Sequence, residues 1–179
     1  MDETTPAPQA SSKKWLWIAG GVIILILIGA AVTGFGGRGT SLGSAYFAPG
    51  TDVEQNTDGT VTYTGDQGSV TVGAGASLPE NWPKDAPPPY SGASIIYSGN
   101  SNPTTGEEGS AIVYNTNGSV DSVVEYYTAR LKAEGWKVEG SGKMSSMTIL
   151  TATKDTRTFG AYLADNGQGQ TSVTVGIQF

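Results

Sequence analysis

The longest uninterrupted hydrophobic stretch of the chain lies near its N-terminus. Residues 15–37 carry no charge, although Lys14 precedes them and Arg38 follows them. As a helix, these 23 residues would be about 34 Å long, which exceeds the roughly 30 Å hydrocarbon core of a bilayer. Trp15 and Trp17 stand at the first boundary, where indole rings favour the headgroup level. The pattern therefore predicts a transmembrane helix over residues 15–37.

A cleaved signal peptide is the alternative interpretation of this stretch. Its apolar region would be shorter, about 7–15 residues, with a basic start and a small-residue cleavage site. Here residues 1–14 have balanced charge, and no clear cleavage site follows. Lys13 and Lys14 before the span outnumber Arg38 after it, which favours a cytoplasmic N-terminus and an extracytoplasmic C-terminal domain. We therefore expect residues 1–14 to form a disordered cytoplasmic tail.

Alternating hydrophobic and polar positions dominate the C-terminal half. Val173, Val175, Ile177 and Phe179 alternate strictly, which predicts a strand with one buried face. This strand covers residues 172–179, and further strands are predicted over residues 94–98, 110–115, 144–153 and 158–164, with another beginning at residue 136.

One helix interrupts these strands. Ser119 or Ser122 can cap its N-terminus, and Gly135 ends it. Two strands, a helix and four strands (ββαββββ) predict an α+β domain over residues 93–179, with the helix packed across a mostly antiparallel sheet. The apolar positions on one face of the predicted helix are Val120, Val123, Val124, Tyr127 and Leu131.

Three regions connect the predicted span to this domain. Residues 38–50 are rich in Gly and Ser and predict a flexible linker. Residues 51–77 predict a small β meander with little apolar content, which either extends the main domain or forms a stalk. Residues 78–92 form a Pro-rich connector. We favour a connector that wraps around its own domain, with Leu78, Trp82 and Tyr90 as plugs, over one that docks on another protein.

The connector carries a resemblance that extends over roughly residues 60–179. A sequence motif of the connector and a second motif in the predicted helix resemble motifs of small bacterial envelope proteins and lipoproteins. The resemblance implies a small α+β domain after the connector, and it implies no activity and no site residue. This chain differs from the lipoproteins because it has no anchoring cysteine. The motifs are Leu78-Pro79-x-x-Trp82-Pro83-x-Asp85-x-Pro87, Tyr90-x-Gly92-Ala93 and Val124-x-x-Tyr127-x-x-x-Leu131-x-x-x-Gly135-Trp136.

Composition excludes several classes of chemistry. The chain has no cysteine and no histidine, which removes disulfides, zinc sites with N/S ligands, thiol catalysis and Ser-His-Asp catalysis. The net charge is −6, and beyond residue 37 there are 8 basic against 14 acidic residues, so the exposed part repels nucleic acid. We predict no catalytic residue, no cofactor-binding residue and no metal ligand.

Two short acidic patterns, Glu107-Glu108 and residues 54–59, do not change that prediction. Glu107-Glu108 is interpreted as a solvated loop, because adjacent side chains point apart. Residues 54–59 faintly resemble a calcium loop, but Gly65 stands where the closing acid should be, so a hairpin turn is preferred.

These observations predict a non-enzymatic, single-pass membrane protein whose outer domain binds an envelope protein or has a structural role. The predicted partners are the lipid bilayer and that protein. The alternative is a cell-wall polysaccharide-binding module, which an exposed group of aromatic side chains would favour. Ala30-x-x-x-Gly34 could pair two membrane helices, and the oligomeric state stays open. The candidate aromatic residues are Trp82, Tyr90, Tyr97, Tyr114, Tyr126 and Trp136.

Overall fold

The computed structural model of the protein describes residues 51–65, 68–101 and 108–179. The predicted cytoplasmic tail, transmembrane helix and flexible linker lie outside these residues. Within them, no helix has the length and hydropathy needed to cross a membrane.

The described residues form a mostly antiparallel sheet with one helix, which confirms the predicted α+β class. The sheet order is β1-β2-β3-β4-β5-β9-β8-β7-β6. The elements, in chain order, are β1 (Asp52–Gln55), β2 (Val61–Gly65), β3 (Gly68–Val72), β4 (Ser94–Ser101), β5 (Glu108–Thr116), α1 (Val120–Ala133), β6 (Lys137–Met144), β7 (Met147–Lys154), β8 (Arg157–Asp165) and β9 (Thr171–Gln178).

The meander β1–β3 belongs to this sheet. Strand β3 pairs with β4, and Val70 lies opposite Gly99 in the register. The hairpin between β1 and β2 turns at Gly59, whose φ of +86° is a conformation that glycine adopts without steric cost. In the same turn the Asp58 carboxylate accepts hydrogen bonds from the Thr60 backbone N–H and hydroxyl. The oxygen-rich pattern at residues 54–59 is therefore a hairpin turn.

Strands β5, β9, β8 and β7 build the core. On the face that we call the front face, alternate residues of these strands form one buried cluster together with residues of α1 and the connector. Val123, Tyr127 and Leu131 of the helix are buried there. The fully buried side chains that the sheet contributes include Ile112, Tyr114, Leu150, Phe159, Leu163, Val173 and Val175.

The ends of α1 follow local chemistry. The Ser119 hydroxyl accepts a hydrogen bond from the Ser122 N–H at 3.2 Å, so Ser119 is the N-cap. The Ser122 hydroxyl also lies within hydrogen-bond distance, 2.8 Å, of the Ser119 hydroxyl. At the other end Gly135 has φ +80°, which terminates the helix as predicted.

The connector wraps across the front face of its own domain. Ala86 is buried in the core, and Trp82 and Tyr90 pack against it. The Asn81 side-chain amide donates to the Asn100 and Gly109 carbonyls, which fixes the connector to β4 and β5. Leu78 differs from the prediction, because its side chain is 36% exposed and packs against neither cluster of buried residues.

Candidate functional site

A charged cluster joins the connector to the β7–β8 hairpin. Arg157 donates two hydrogen bonds of 2.7 Å to the two carboxylate oxygens of Asp85. Lys154 forms a 2.7 Å ion pair with the same carboxylate and also donates to the Glu134 carbonyl at the end of α1. We call Asp85, Lys154 and Arg157 the charge latch. Both cations hold the pKa of the Asp85 carboxyl well below its ordinary value, mainly through the Arg157 hydrogen bonds.

Trp136 extends the charge latch into the core. Its indole N–H donates to the Asp85 carbonyl, and the Arg157 guanidinium lies 5.0 Å from the centre of its ring. The ring in turn contacts Phe159 edge to face at 6.2 Å. Every group of the latch is engaged within the fold, so the arrangement holds the connector in place.

Two buried tyrosines form a second polar cluster. The Tyr114 and Tyr127 hydroxyls are 2.8 Å apart, and the Tyr90 N–H donates to Tyr114. Burial raises the pKa of Tyr114 to about 12 and raises the pKa of Tyr127 further. Both phenols are therefore protonated at neutral pH, and both hydroxyls form hydrogen bonds within the core.

The six candidate aromatic residues do not form an exposed platform. Tyr97, Tyr114 and Trp136 are buried, and the other three are only half-buried and pack against the core. Tyr126 is not one of the residues predicted for the apolar face of the helix, and its hydroxyl donates a hydrogen bond to the Pro88 carbonyl. Stacking on an aromatic surface therefore has no support among the described residues.

On the face of the sheet opposite α1, here called the rear face, Val70, Tyr97 and Val113 form a second, smaller cluster of buried residues, and no described helix packs there. The helix contacts β6, β7 and β8 from the front, and each strand makes its main contacts with its hydrogen-bonded neighbours. Strand register places eight uncharged residues in two adjacent rows on the rear face. These residues are Val113, Thr174, Tyr162 and Ile149 in one row and Ala111, Gly176, Gly160 and Thr151 in the next.

Glycine makes the second row shallow. A Cβ added to Gly176 would meet nothing within 4 Å, and one added to Gly160 would meet only the Tyr162 ring at 3.9 Å. Most of the eight residues are half-buried, whereas Val113 and Tyr162 are shielded by their neighbours. The rear face thus presents a smooth, uncharged surface about four strands wide.

Both edges of the sheet are also accessible. The four residues of β1 are all exposed, and so are seven of the eight residues of β6. Lysines at both ends of β6 and a register shift near Gly140 discourage unspecific strand pairing. The rear face is therefore the more suitable contact surface.

A polar groove of about 420 Å³ lies where the connector leaves the meander on the front face. Strand register places Thr62, Thr71 and Ser98 side by side on its floor. Asp58 and Glu80 are the acidic residues of its lining, and its apolar residues include the exposed Leu78 and the buried Pro79. We call this feature the hydroxyl groove.

A second groove lies at the N-terminal end of α1. It is lined by polar residues of the β6–β7 and β8–β9 turns, including Lys143 and Asp165. Asn117, Ser119 and Thr171 in this groove are used in hydrogen bonds within the fold. Glu108, from the acidic pair considered above, begins β5 and lies in neither groove.

These surfaces belong to an α+β domain whose front face is covered by α1 and the connector and whose rear face has no described helix packed on it. A family model described as START domain-like matches residues 97–178, from within β4 to the end of β9. The match covers less than half of the 179 residues, so it describes what this part of the chain is similar to. No curated protein and no solved structure matches the chain. The meander and the connector, including Asp85, lie outside the matched range.

Sequence reasoning did not find the charge latch or either surface. Asp85 was noted only as part of the connector motif and was given no role, because its partners are 69 and 72 positions away in the chain. The hydroxyl groove had a local signal, since Thr60, Thr62 and Thr64 alternate with apolar residues. That alternation places hydroxyls on one face of β2, but only the connector turns this face into a groove.

Proposed function

We propose that this chain is a single-pass membrane protein whose extracytoplasmic α+β domain binds a protein partner in the cell envelope and catalyses no reaction. The membrane part of the proposal rests on residues 15–37, whose 23 uncharged positions suit a bilayer span. The orientation rests on the balance of Lys13 and Lys14 against Arg38.

The rear face is the observation that supports a protein partner best. It combines uncharged side chains with a glycine row, so an apolar surface of a partner can approach the sheet backbone closely. Hydrophobic contact across such a surface requires no charge to be desolvated, which favours association. The covered front face and the engaged charge latch offer no comparable surface.

The anchor is tested by membrane fractionation of the full chain and of a variant lacking residues 15–37. The full chain is expected in the membrane fraction after carbonate washing, and the variant is expected in the soluble fraction. Protease added to intact cells should remove the C-terminal domain. A full chain released by carbonate, or a domain protected from protease, would contradict the anchor or its orientation, respectively.

Partner binding is tested by affinity capture from solubilised membranes, with the full chain as bait. Gly176→Arg places a long charged side chain on the rear face without a steric clash in the fold, since a Cβ there meets nothing within 4 Å. Ser141→Arg on the exposed edge strand β6 is the matched control. A protein captured by the wild type and the control, but lost with Gly176→Arg, supports the proposal. Equal capture by both variants contradicts it.

A further inference from the structure

We propose that the hydroxyl groove binds a neutral saccharide. The groove is a physically separate feature from the rear face, because Ser98 pairs with Ile112, a front-face core residue. Its roughly 420 Å³ lies within the range of about 300–1,000 Å³ that small-ligand sites occupy.

The charges of the lining limit the ligand. Asp58 and Glu80 are acidic, and no lysine or arginine is among the residues that line the groove. An anion would therefore be repelled. A ligand that donates hydrogen bonds to oxygen atoms suits this lining.

The floor of the groove has unused hydrogen-bonding capacity. The Asn56 amide donates to Thr62 at 3.0 Å, and the Thr62 and Thr71 hydroxyls are 3.1 Å apart. Ser98, next in this row, is only 6% exposed, and its hydroxyl bonds to no other described residue. A hydroxyl can donate one hydrogen bond and accept two, so Thr71 and Ser98 can both accept a hydrogen bond from a ligand, and Ser98 can also donate one to it. Saccharide hydroxyls have the same dual capacity.

An exposed apolar side chain in the lining completes the match to a sugar ring. Leu78 is a large hydrophobic residue of the lining and is 36% exposed. The C–H face of a pyranose is apolar while its edge carries hydroxyls. A sugar can therefore rest on Leu78 while its hydroxyls reach the row formed by Thr62, Thr71 and Ser98.

Calorimetric titration of the purified full chain tests this inference. The probes are maltotetraose, the tetramer of N-acetylglucosamine, and the cationic polyamine spermidine. We expect at least one tetrasaccharide to bind with a Kd below about 1 mM. Its affinity should not change between about 0.05 and 0.5 M salt, because no charge pair is formed.

Two variants locate the binding. Thr71→Val keeps the side-chain shape and Ser98→Ala removes a small group, and each should weaken saccharide binding at least tenfold. Thr158→Val, on a half-buried strand threonine outside the groove, is the matched control and should bind normally. Circular dichroism shows whether each variant folds. If Ser98→Ala does not fold, the binding result for Thr71→Val alone decides the test. The proposal is overturned if neither saccharide binds, if only spermidine binds, or if Thr71→Val binds like the wild type.

Discussion

The front and rear faces of the sheet are built from the same strands, yet they have opposite characters. In β8, Phe159, Ala161 and Leu163 are fully buried beneath the helix, whereas Gly160 between them is half-buried on the rear. In β9, Val173 and Val175 point forward, while Thr174 and Gly176 point back. A period of two thus allows one strand to supply a core on one side and a contact surface on the other. Changes on the front should affect stability, and changes on the rear should affect binding.

The largest expected effect is on the front face. Phe159→Ala should lower the free energy of unfolding by about 3–5 kcal/mol, because it opens a cavity among Tyr127, Trp136 and the strands. Denaturant unfolding of the full chain measures this loss. Ile149→Ala, at a half-buried rear position, should cost only about 1 kcal/mol. Similar losses of unfolding free energy in the two variants would contradict the proposed difference between the two faces.

The charge latch should have the next largest effect. Asp85→Asn should cost about 1–2 kcal/mol, because it weakens the bidentate bond to Arg157 and the pair with Lys154. Glu139→Gln, in the exposed pair with Lys137, should cost less than about 0.5 kcal/mol. Urea midpoints of the two variants provide the comparison, and a larger loss for Glu139→Gln would contradict it.

The same latch predicts a pH dependence. The pKa of Asp85 is lowered in the fold from its ordinary value of 3.8. Its contribution to stability is therefore complete above the ordinary pKa and is lost as pH falls through the lower, folded value. The stability difference between wild type and Asp85→Asn should be constant from about pH 5 to 7 and should shrink below about pH 4. A difference that stays constant down to pH 2 would show that the carboxylate charge is not responsible.

Two tyrosines allow a matched comparison with opposite signs. Tyr127→Phe on the front leaves the buried Tyr114 hydroxyl without its 2.8 Å partner and should cost about 1 kcal/mol. Tyr97 on the rear has a buried hydroxyl with no hydrogen-bond partner in the described part of the chain. Tyr97→Phe should therefore be neutral or stabilise by up to about 1 kcal/mol. Thermal unfolding distinguishes these results, and a loss with Tyr97→Phe would indicate a missed partner.

The smallest expected effect on stability comes from the glycine row. Gly176→Arg should change the free energy of unfolding by less than about 0.5 kcal/mol, because the new side chain enters open space. Glycine also has a low β-strand propensity, so replacing Gly176 does not remove a residue that favours the strand. Chemical denaturation alongside the capture experiment checks this. A loss of more than about 2 kcal/mol would mean that the rear face is covered.

Much of the fold was predictable because its signals are local. The alternation in β8 and β9, the Ser119 cap and the Gly135 stop each depend on residues that are neighbours in the chain. The order of elements along the chain, two strands, one helix and four strands, followed from these signals. The match of residues 97–178 to a START domain-like family covers this same part.

The candidate surfaces were not predictable because they depend on distant pairings. Gly160 and Gly176 form one row only after β8 pairs with β9. Ser98 and Thr71 become neighbours only through the β3–β4 register. The Asp85 partners come from the other end of the domain. Each of these features is set by tertiary packing, which a linear pattern does not encode.

Site-specific photocrosslinking in native membranes tests the central claim, that the rear face binds a protein, most directly. A photoreactive phenylalanine analogue is placed at Ile149 or Thr174 on the rear face, and at Glu125 or Ala129 on the exposed side of α1. We predict a discrete protein adduct from both rear positions and none from the two helix positions. Adducts of equal strength from α1, or no adduct from either rear position, would contradict the account.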